Sequence, residues 1–289
     1  MALLLLVSFI WAFSYGLIKG RLAGVDSNAV ATLRLVLAFL VFLPIFRPRR
    51  IGTRLGLQLF ALGAVQFGVM YLLYQRSFAY LPAYAVVLFT LTMPLYITLA
   101  DAIVEGRFHP RFAAAALIAL LGAAVVVFNG ALQGNWLTGF ALMQLSNICF
   151  AAGQIAWRKL RPKFPKGTTD ASLFALPYAG ALAASFLGSL MTTTWTALQL
   201  TGSQIWVLLY LGTLSSGLCF FWWNLGATRV NAGALAVFNN AKVPLGVACS
   251  LLFFHESADL PRLFVSAGLM ALAVWISESK SSQPISEKT

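Results

Sequence analysis

ASLFALPYAGALAASFLGSLMTTTWTALQLTGSQIWVLLYLGTLSSGLCFFWWNLGAT, residues Ala171 to Thr228, runs for 58 positions without an Asp, Glu, Lys, Arg or His. Soluble domains carry about one charged residue in four, so a stretch this long cannot form a water-facing surface. A helix needs about 20 apolar residues to cross the hydrocarbon core of a bilayer, and this stretch therefore holds at least two crossings. A second charge-free run, Phe112 to Trp157, covers 46 residues and reads the same way. Over all 289 residues 60% are hydrophobic and only 10% charged, which excludes an ordinary water-soluble enzyme.

Working outward, apolar runs bounded by charge, Pro or Gly-rich turns predict ten spans. They are Ala2 to Ile18, Ser27 to Phe46, Leu55 to Tyr74, Pro82 to Val104, Phe112 to Asn129, Trp136 to Trp157, Ala171 to Met191, Ser203 to Trp223, Asn231 to Phe254 and Leu263 to Ser277. The connections are short and leave no room for a soluble domain. The first span lacks a preceding basic segment, runs to Lys19 and is followed by further spans, so it reads as retained rather than as a cleaved leader. Lys280 to Thr289 are polar and aperiodic, the pattern of a disordered cytoplasmic tail. Cys149, Cys219 and Cys249 have no paired spacing and no neighbouring His, and read as small helix- or lipid-facing side chains rather than disulfide or metal positions.

The formal net charge of +12 comes from 20 Lys and Arg against 8 Asp and Glu. With the amino terminus in the cytoplasm, 14 of the 20 basic residues fall in cytoplasmic segments and 4 on the opposite side, while Arg34 and Lys242 lie within spans. Basic residues in short loops concentrate on the cytoplasmic side, so both termini are expected there. The excess charge is a topology signal, which leaves no case for a nucleic-acid partner.

Laying the second half on the first gives ordered matches. An offset of 139 pairs Ser8 with Asn147, Trp11 with Phe150, Tyr15 with Gln154 and Lys19 with Arg158. An offset of 149 pairs Gly63 with Gly212, Gly68 with Gly217, Tyr74 with Trp223, Gln75 with Asn224 and Phe89 with Phe238; Pro94 then matches Pro244, and Glu105 matches Glu256. Five spans is an odd number, so the second copy enters the membrane from the other side. The expected fold is thus an all-α integral membrane protein of ten transmembrane helices, built as two inverted five-helix repeats: residues 1–133 and 134–279, followed by the tail 280–289. Inverted repeats characterise many secondary transporters, whose central site changes sides when the two halves exchange conformations.

Lys242 lies near the centre of the ninth span, where an ammonium costs at least about 2.5 kcal/mol to insert. With Asn239 and Phe238 on the same face it reads as a cation for a substrate carboxylate, or else as a Lys bonded to carbonyls freed by a Pro244 kink. Arg34 could meet an anion too, or simply brace neighbouring helices. Pro94 and Pro244 sit at matching mid-span positions and read as paired hinges or as static bends. Trp11 and Tyr15 on the first span, Asn147 and Gln154 on the sixth, Tyr74 and Gln75 on the third and Asn224 on the eighth are candidate cavity residues, although Tyr and Trp near span ends also serve as interfacial belts. Asp101, Glu105 and Glu256 sit near span ends and read as caps or interhelical clasps. Gly180, Ala184 and Gly188 form a ridge of small residues for internal packing. His109 and His255 lie at span ends, and no HExxH, paired CxxC or phosphate-binding Gly loop occurs. No metal or cofactor site is expected. An intramembrane enzyme and a channel both fit less well than a carrier of a small amphipathic solute bearing a carboxylate.

WAFSYGLIK (Trp11 to Lys19), Arg34, and LPAYAVVLFTLTMPLYITLADAIVEGRF (Leu81 to Phe108) echoed by VNAGALAVFNNAKVPLGVACSLLFFHES (Val230 to Ser257) resemble the drug/metabolite transporter superfamily in its EamA-type exporter branch. The resemblance covers nearly the whole chain, and its most specific element is the mid-span Pro followed by Glu at 94 and 105 and at 244 and 256. It is most similar to the YddG-like aromatic amino-acid exporters. It implies export of a small metabolite, an amino acid above others and a drug or nucleotide precursor as the alternative. The setting would be the bacterial inner membrane, without ATP hydrolysis and with the chain acting as a monomer. The seventh span has no counterpart of Arg34, so an Arg-based role need not be symmetric.

Overall fold

The computed structural model describes residues 2–47, 51–105, 114, 117, 118, 121, 122, 125, 134–229, 232–256 and 258–278, and all regular structure among them is helical. Six helical stretches are long and apolar enough to cross a membrane: Leu3–Arg21, Ser27–Ile45, Thr53–Ser77, Trp136–Lys163, Asp170–Leu190 and Gly202–Ala227. Shorter apolar helices cover Ala83–Ile97, Val243–Phe253 and Leu260–Ala273. The apolar side chains at the exterior confirm the setting. On the first helix Leu5, Phe9 and Phe13, spaced to share a face, are all about half exposed, whereas Leu4, Val7 and Trp11 are buried. A face that would be unfavourable in water is the favourable one against lipid.

We label the described helices α1 (Ala2–Arg21), α2 (Ser27–Phe42), α3 (Thr53–Ser77), α4 (Ala83–Phe89, continuing through Met93–Glu105), α5 (Trp136–Leu160), α6 (Ala175–Leu190), α7 (Gly202–Ala227), α8 (Ala232–Phe253) and α9 (Leu260–Glu278). Most of the fifth predicted span, Phe112 to Asn129, and all of the tail 280–289 lie outside the described residues. The observed ends fall within a few residues of the predicted ones. Asp26 caps α2 by accepting from the N–H groups of Asn28 and Ala29. The Glu256 carboxylate accepts from the N–H groups of Ala83 and Tyr84 at 2.8 and 2.9 Å and from Ser250 Oγ, so the α8–α9 connection caps α4 as a clasp. An anionic group there satisfies orphan N–H donors and opposes the helix dipole.

Two long helices are not plain α-helices. α3 is π-helical over Ala64–Val69, and α7 over Tyr210–Leu218. A glycine contact lies at each π segment: a Cβ on Gly63, just before the first, would lie 1.8 Å from the Pro177 carbonyl oxygen, and one on Gly212, inside the second, would lie 2.6 Å from the Leu37 side chain. α3 thus presses on α6, and α7 on α2. Gly180 makes the reciprocal contact with the Phe60 backbone, and Ala184 meets Gly68, so the ridge of small residues on α6 does serve internal packing. Elsewhere α1 packs along α8, α5 packs along α4, and α2 and α6 lie against each other. α4 breaks at a 3-10 turn, Thr90–Thr92, just before Pro94, whereas Pro244 sits inside the continuous α8.

A buried cationic cavity

A cavity enclosing about 510 Å³ of empty space, its mouth included, lies among α1, α2, α3, α4, α5 and α7. Its walls are aromatic and sulfur-rich, and its polar groups are few: Ser14, Arg34, Thr90, Ser146, Asn147 and Ser215, with the tyrosine hydroxyls.

Arg34 is the centre of its charge. The side chain is 2% exposed, with Nε donating to Ser216 Oγ at 3.0 Å and Nη2 to the Tyr71 hydroxyl at 2.9 Å. The guanidinium carbon stands 4.7 Å from the Tyr71 ring centroid. Ser216 Oγ donates to the Leu211 carbonyl at 2.7 Å, a five-residue spacing made available by the π segment. A hydroxyl has one proton to give and two lone pairs to fill. Because Ser216 gives its proton to Leu211, it accepts from Arg34 and from Tyr71, 2.8 Å away. The network is complete except at one atom: Arg34 Nη1 is buried without a partner. No carboxylate contacts Arg34 among the described residues. A buried, unpaired charged donor is costly, and here the guanidinium is held by Ser216 and Tyr71 at the wall of a cavity.

The same π segment builds the adjoining wall. Its opened carbonyls are taken up by other helices: Trp11 Nε1 donates to Ser215 O at 2.9 Å, and the Tyr178 hydroxyl to Gly217 O at 2.9 Å with Ser216 O also in reach. Ser14 and Ser215 hydroxyls join at 2.9 Å. The Trp11 ring stacks at a tilt on Phe220 and Trp223, with centroids 5.0 and 5.1 Å away, and Tyr15 meets Tyr74 edge-on at 6.2 Å. π segments recur at functional sites because they redirect side chains and carbonyls in this way.

On the far wall, Asn147 Nδ2 donates to Phe89 O at 2.9 Å, with Thr92 Oγ1 at 3.2 Å and Gln144 Oε1 at 3.4 Å beyond. Thr92 and Tyr96 hydroxyls both give to Gln144 Oε1.

The structure brings together Trp11, Tyr15, Tyr74 and Asn147 of the predicted site. Tyr71, Tyr74 and Trp223 pack inside the bundle rather than as belt residues: Tyr71 meets Arg34, Trp223 meets Trp11, and Tyr74 meets Tyr71 and Tyr15. Gln75, Gln154 and Asn224 are buried but do not line the cavity; Asn224 instead bonds Gln66 at 3.2 Å. The side chains of Lys242, Asn239 and Phe238, and those of Asp101, Glu105 and Pro94, lie outside the described residues. Arg34, given second place to Lys242 by sequence position alone, becomes the described cation of the site. Ser215, Ser216, Gln144 and Thr90 were not anticipated. One signal existed for Ser215, since the offset of 149 pairs it with Gln66, a polar residue within the other π segment.

A cavity holding a fixed cation, sunk in a helical bundle with an apolar exterior, is the layout of a membrane protein that binds a small solute. The EamA-like transporter family model matches residues 1–128. The chain is 40% identical over 277 residues to a "Probable biotin transporter" of Pseudomonas aeruginosa, covering 96% of both chains. It is 36% identical over 279 residues to the "Biotin transporter" of Escherichia coli strain K12, covering 96% of this chain and 92% of that protein. The protein belongs to the EamA-like transporter family, within the drug/metabolite transporter superfamily. A solved crystal structure with 18% identity shares the fold over 94% of this chain and 95% of its own, at a TM-score of 0.64.

Proposed function

We propose that the protein carries biotin, or a closely similar monocarboxylate with a neutral polar head, across the bacterial inner membrane by alternating access. The observation that carries this reading is Arg34: a buried guanidinium with an unfilled Nη1, lining an aromatic cavity whose described lining residues include no Asp or Glu. A carboxylate fills Nη1 and neutralises the charge. An amino acid would bring an ammonium with no acidic partner there, so the amino-acid substrate suggested by resemblance fits less well than a solute with one negative charge. The names of the relatives, 40% and 36% identical over nearly the whole chain, support biotin among such solutes.

The transport cycle follows from the repeat. Two five-helix units, 1–133 and 134–279, with opposite orientations would exchange roles. Support comes from the π segments, which occupy matching positions at the offset of 149, and from the contacts, in which α1 with α8 mirrors α5 with α4, and α2 with α7 mirrors α6 with α3. On this reading the ten spans place both termini in the cytoplasm, Pro94 and Pro244 flex, Lys242 is a second cation facing the path, and the monomer suffices.

The test is uptake and efflux of radiolabelled biotin in proteoliposomes. Trans-stimulation by unlabelled biotin inside the vesicle identifies a carrier, and loaded vesicles report the export direction. Transport of aromatic amino acids but not biotin would overturn the substrate assignment, and conduction without counterflow would overturn the carrier.

A further inference from the structure

Asn147 is 1% exposed, lines the cavity and keeps its carbonyl oxygen Oδ1 buried without a partner. Its orientation is set by the break in α4. Pro94 has no N–H to give to Thr90, four residues back. The Met93 N–H takes the Thr90 carbonyl in a 3-10 turn instead of reaching Phe89. The Phe89 carbonyl, so released, accepts Asn147 Nδ2 at 2.9 Å. A carbonyl can only accept, so the amide nitrogen must be the end that faces it, and Oδ1 must be the other. The structure therefore holds one lone acceptor in the same cavity as the lone donor on Arg34.

We propose that Asn147 is the specificity-determining residue that reads a neutral N–H donor on the substrate head, such as the ureido N–H of biotin, while Arg34 holds the carboxylate. This rests on the monocarboxylate reading above. Two complementary orphan groups in one cavity are both satisfied by a single ligand carrying an acid and an amide-like N–H. A buried acceptor left unfilled discriminates against ligands lacking the donor more strongly than added contact area does.

The experiment is binding to the full-length protein in lipid nanodiscs. The ligands are biotin and dethiobiotin, which carry the ureido N–H groups; biotin methylated on the ureido nitrogens; and lipoic acid, a ring-bearing carboxylate without N–H. Wild type should bind the first two on the order of tenfold more tightly than the last two. Asn147→Ala should reduce that preference to within about threefold by weakening biotin and leaving lipoate unchanged. Should Asn147→Ala fail to fold, the wild-type comparison of biotin with its N-methylated form decides alone. Equal wild-type affinity for biotin and lipoate, or equal weakening of both by Asn147→Ala, would overturn the role of Asn147 while leaving Arg34-dependent biotin binding standing. A wild type that binds none of the four carboxylates would overturn the substrate reading and this inference together.

Discussion

Replacing Arg34 by Met separates a binding cation from a structural brace. The variant keeps much of the bulk of an unbranched side chain, though it is shorter, and removes the charge and its donors. In the ligand-bound protein the carboxylate loses a buried, charge-assisted partner, a change typically worth about 2 to 5 kcal/mol, and at about 1.4 kcal/mol per decade biotin affinity should fall between about thirtyfold and several thousandfold. The free protein is affected in the opposite sense. Arg34 is 2% exposed and no carboxylate contacts it among the described residues, so its burial is uncompensated apart from Ser216, Tyr71 and the ring contact. Replacing an uncompensated buried charge by an apolar side chain of similar volume is neutral or stabilising, and Ser216 and Tyr71 still bond each other at 2.8 Å. The melting temperature of Arg34→Met should therefore stay within about 4 °C of wild type or rise. Calorimetric titration with biotin and its methyl ester, alongside thermal melts, measures both. Wild type should prefer the acid, and the variant should bind acid and ester alike. A variant that binds biotin as tightly as wild type, or that loses binding only because its melting temperature collapses, refutes the reasoning and returns Arg34 to bracing.

Gly63→Ala would place a Cβ 1.8 Å from the Pro177 carbonyl oxygen, backbone that cannot swing away. It should cost about 3 kcal/mol or more, seen as lost folded protein on size-exclusion chromatography, whereas Gly202→Ala meets nothing within 4 Å and should behave as wild type. Glu256→Gln keeps the shape of the α4 cap but removes its charge, and thermal melts should show a loss of about 0.5 to 2 kcal/mol. Lys242→Met tests the second cation: transport in proteoliposomes should drop at least about tenfold if Lys242 faces the path, and unchanged transport removes it from the site.

Much of the helical framework was legible without coordinates, because hydropathy is a property of composition along the chain. A 58-residue run without charge can satisfy its backbone in lipid only as helices, whatever packs beside them. Clasps were legible for the same local reason: Glu256 lies at a span end, where a carboxylate finds free N–H groups. What could not be read was how the spans face one another. Tyr71 looks the same in sequence whether it touches lipid headgroups or a guanidinium, and only its approach to Arg34 decides. Gln154 and Asn224 are candidate cavity residues by sequence yet lie buried away from the cavity, since position along a span does not fix which helix a side chain meets.

The sequence by itself determined that this is a multi-span helical membrane protein, where its helices begin and end, and that two cations lie inside them. Only the tertiary structure decided that Arg34 carries an unfilled donor and Asn147 an unfilled acceptor in one cavity. The reason is that hydrogen-bond vacancy is set by what surrounds an atom. A π segment on α7 and a 3-10 turn on α4, both local departures from the α-helix stabilised by neighbouring helices, supply those surroundings from residues distant in the chain.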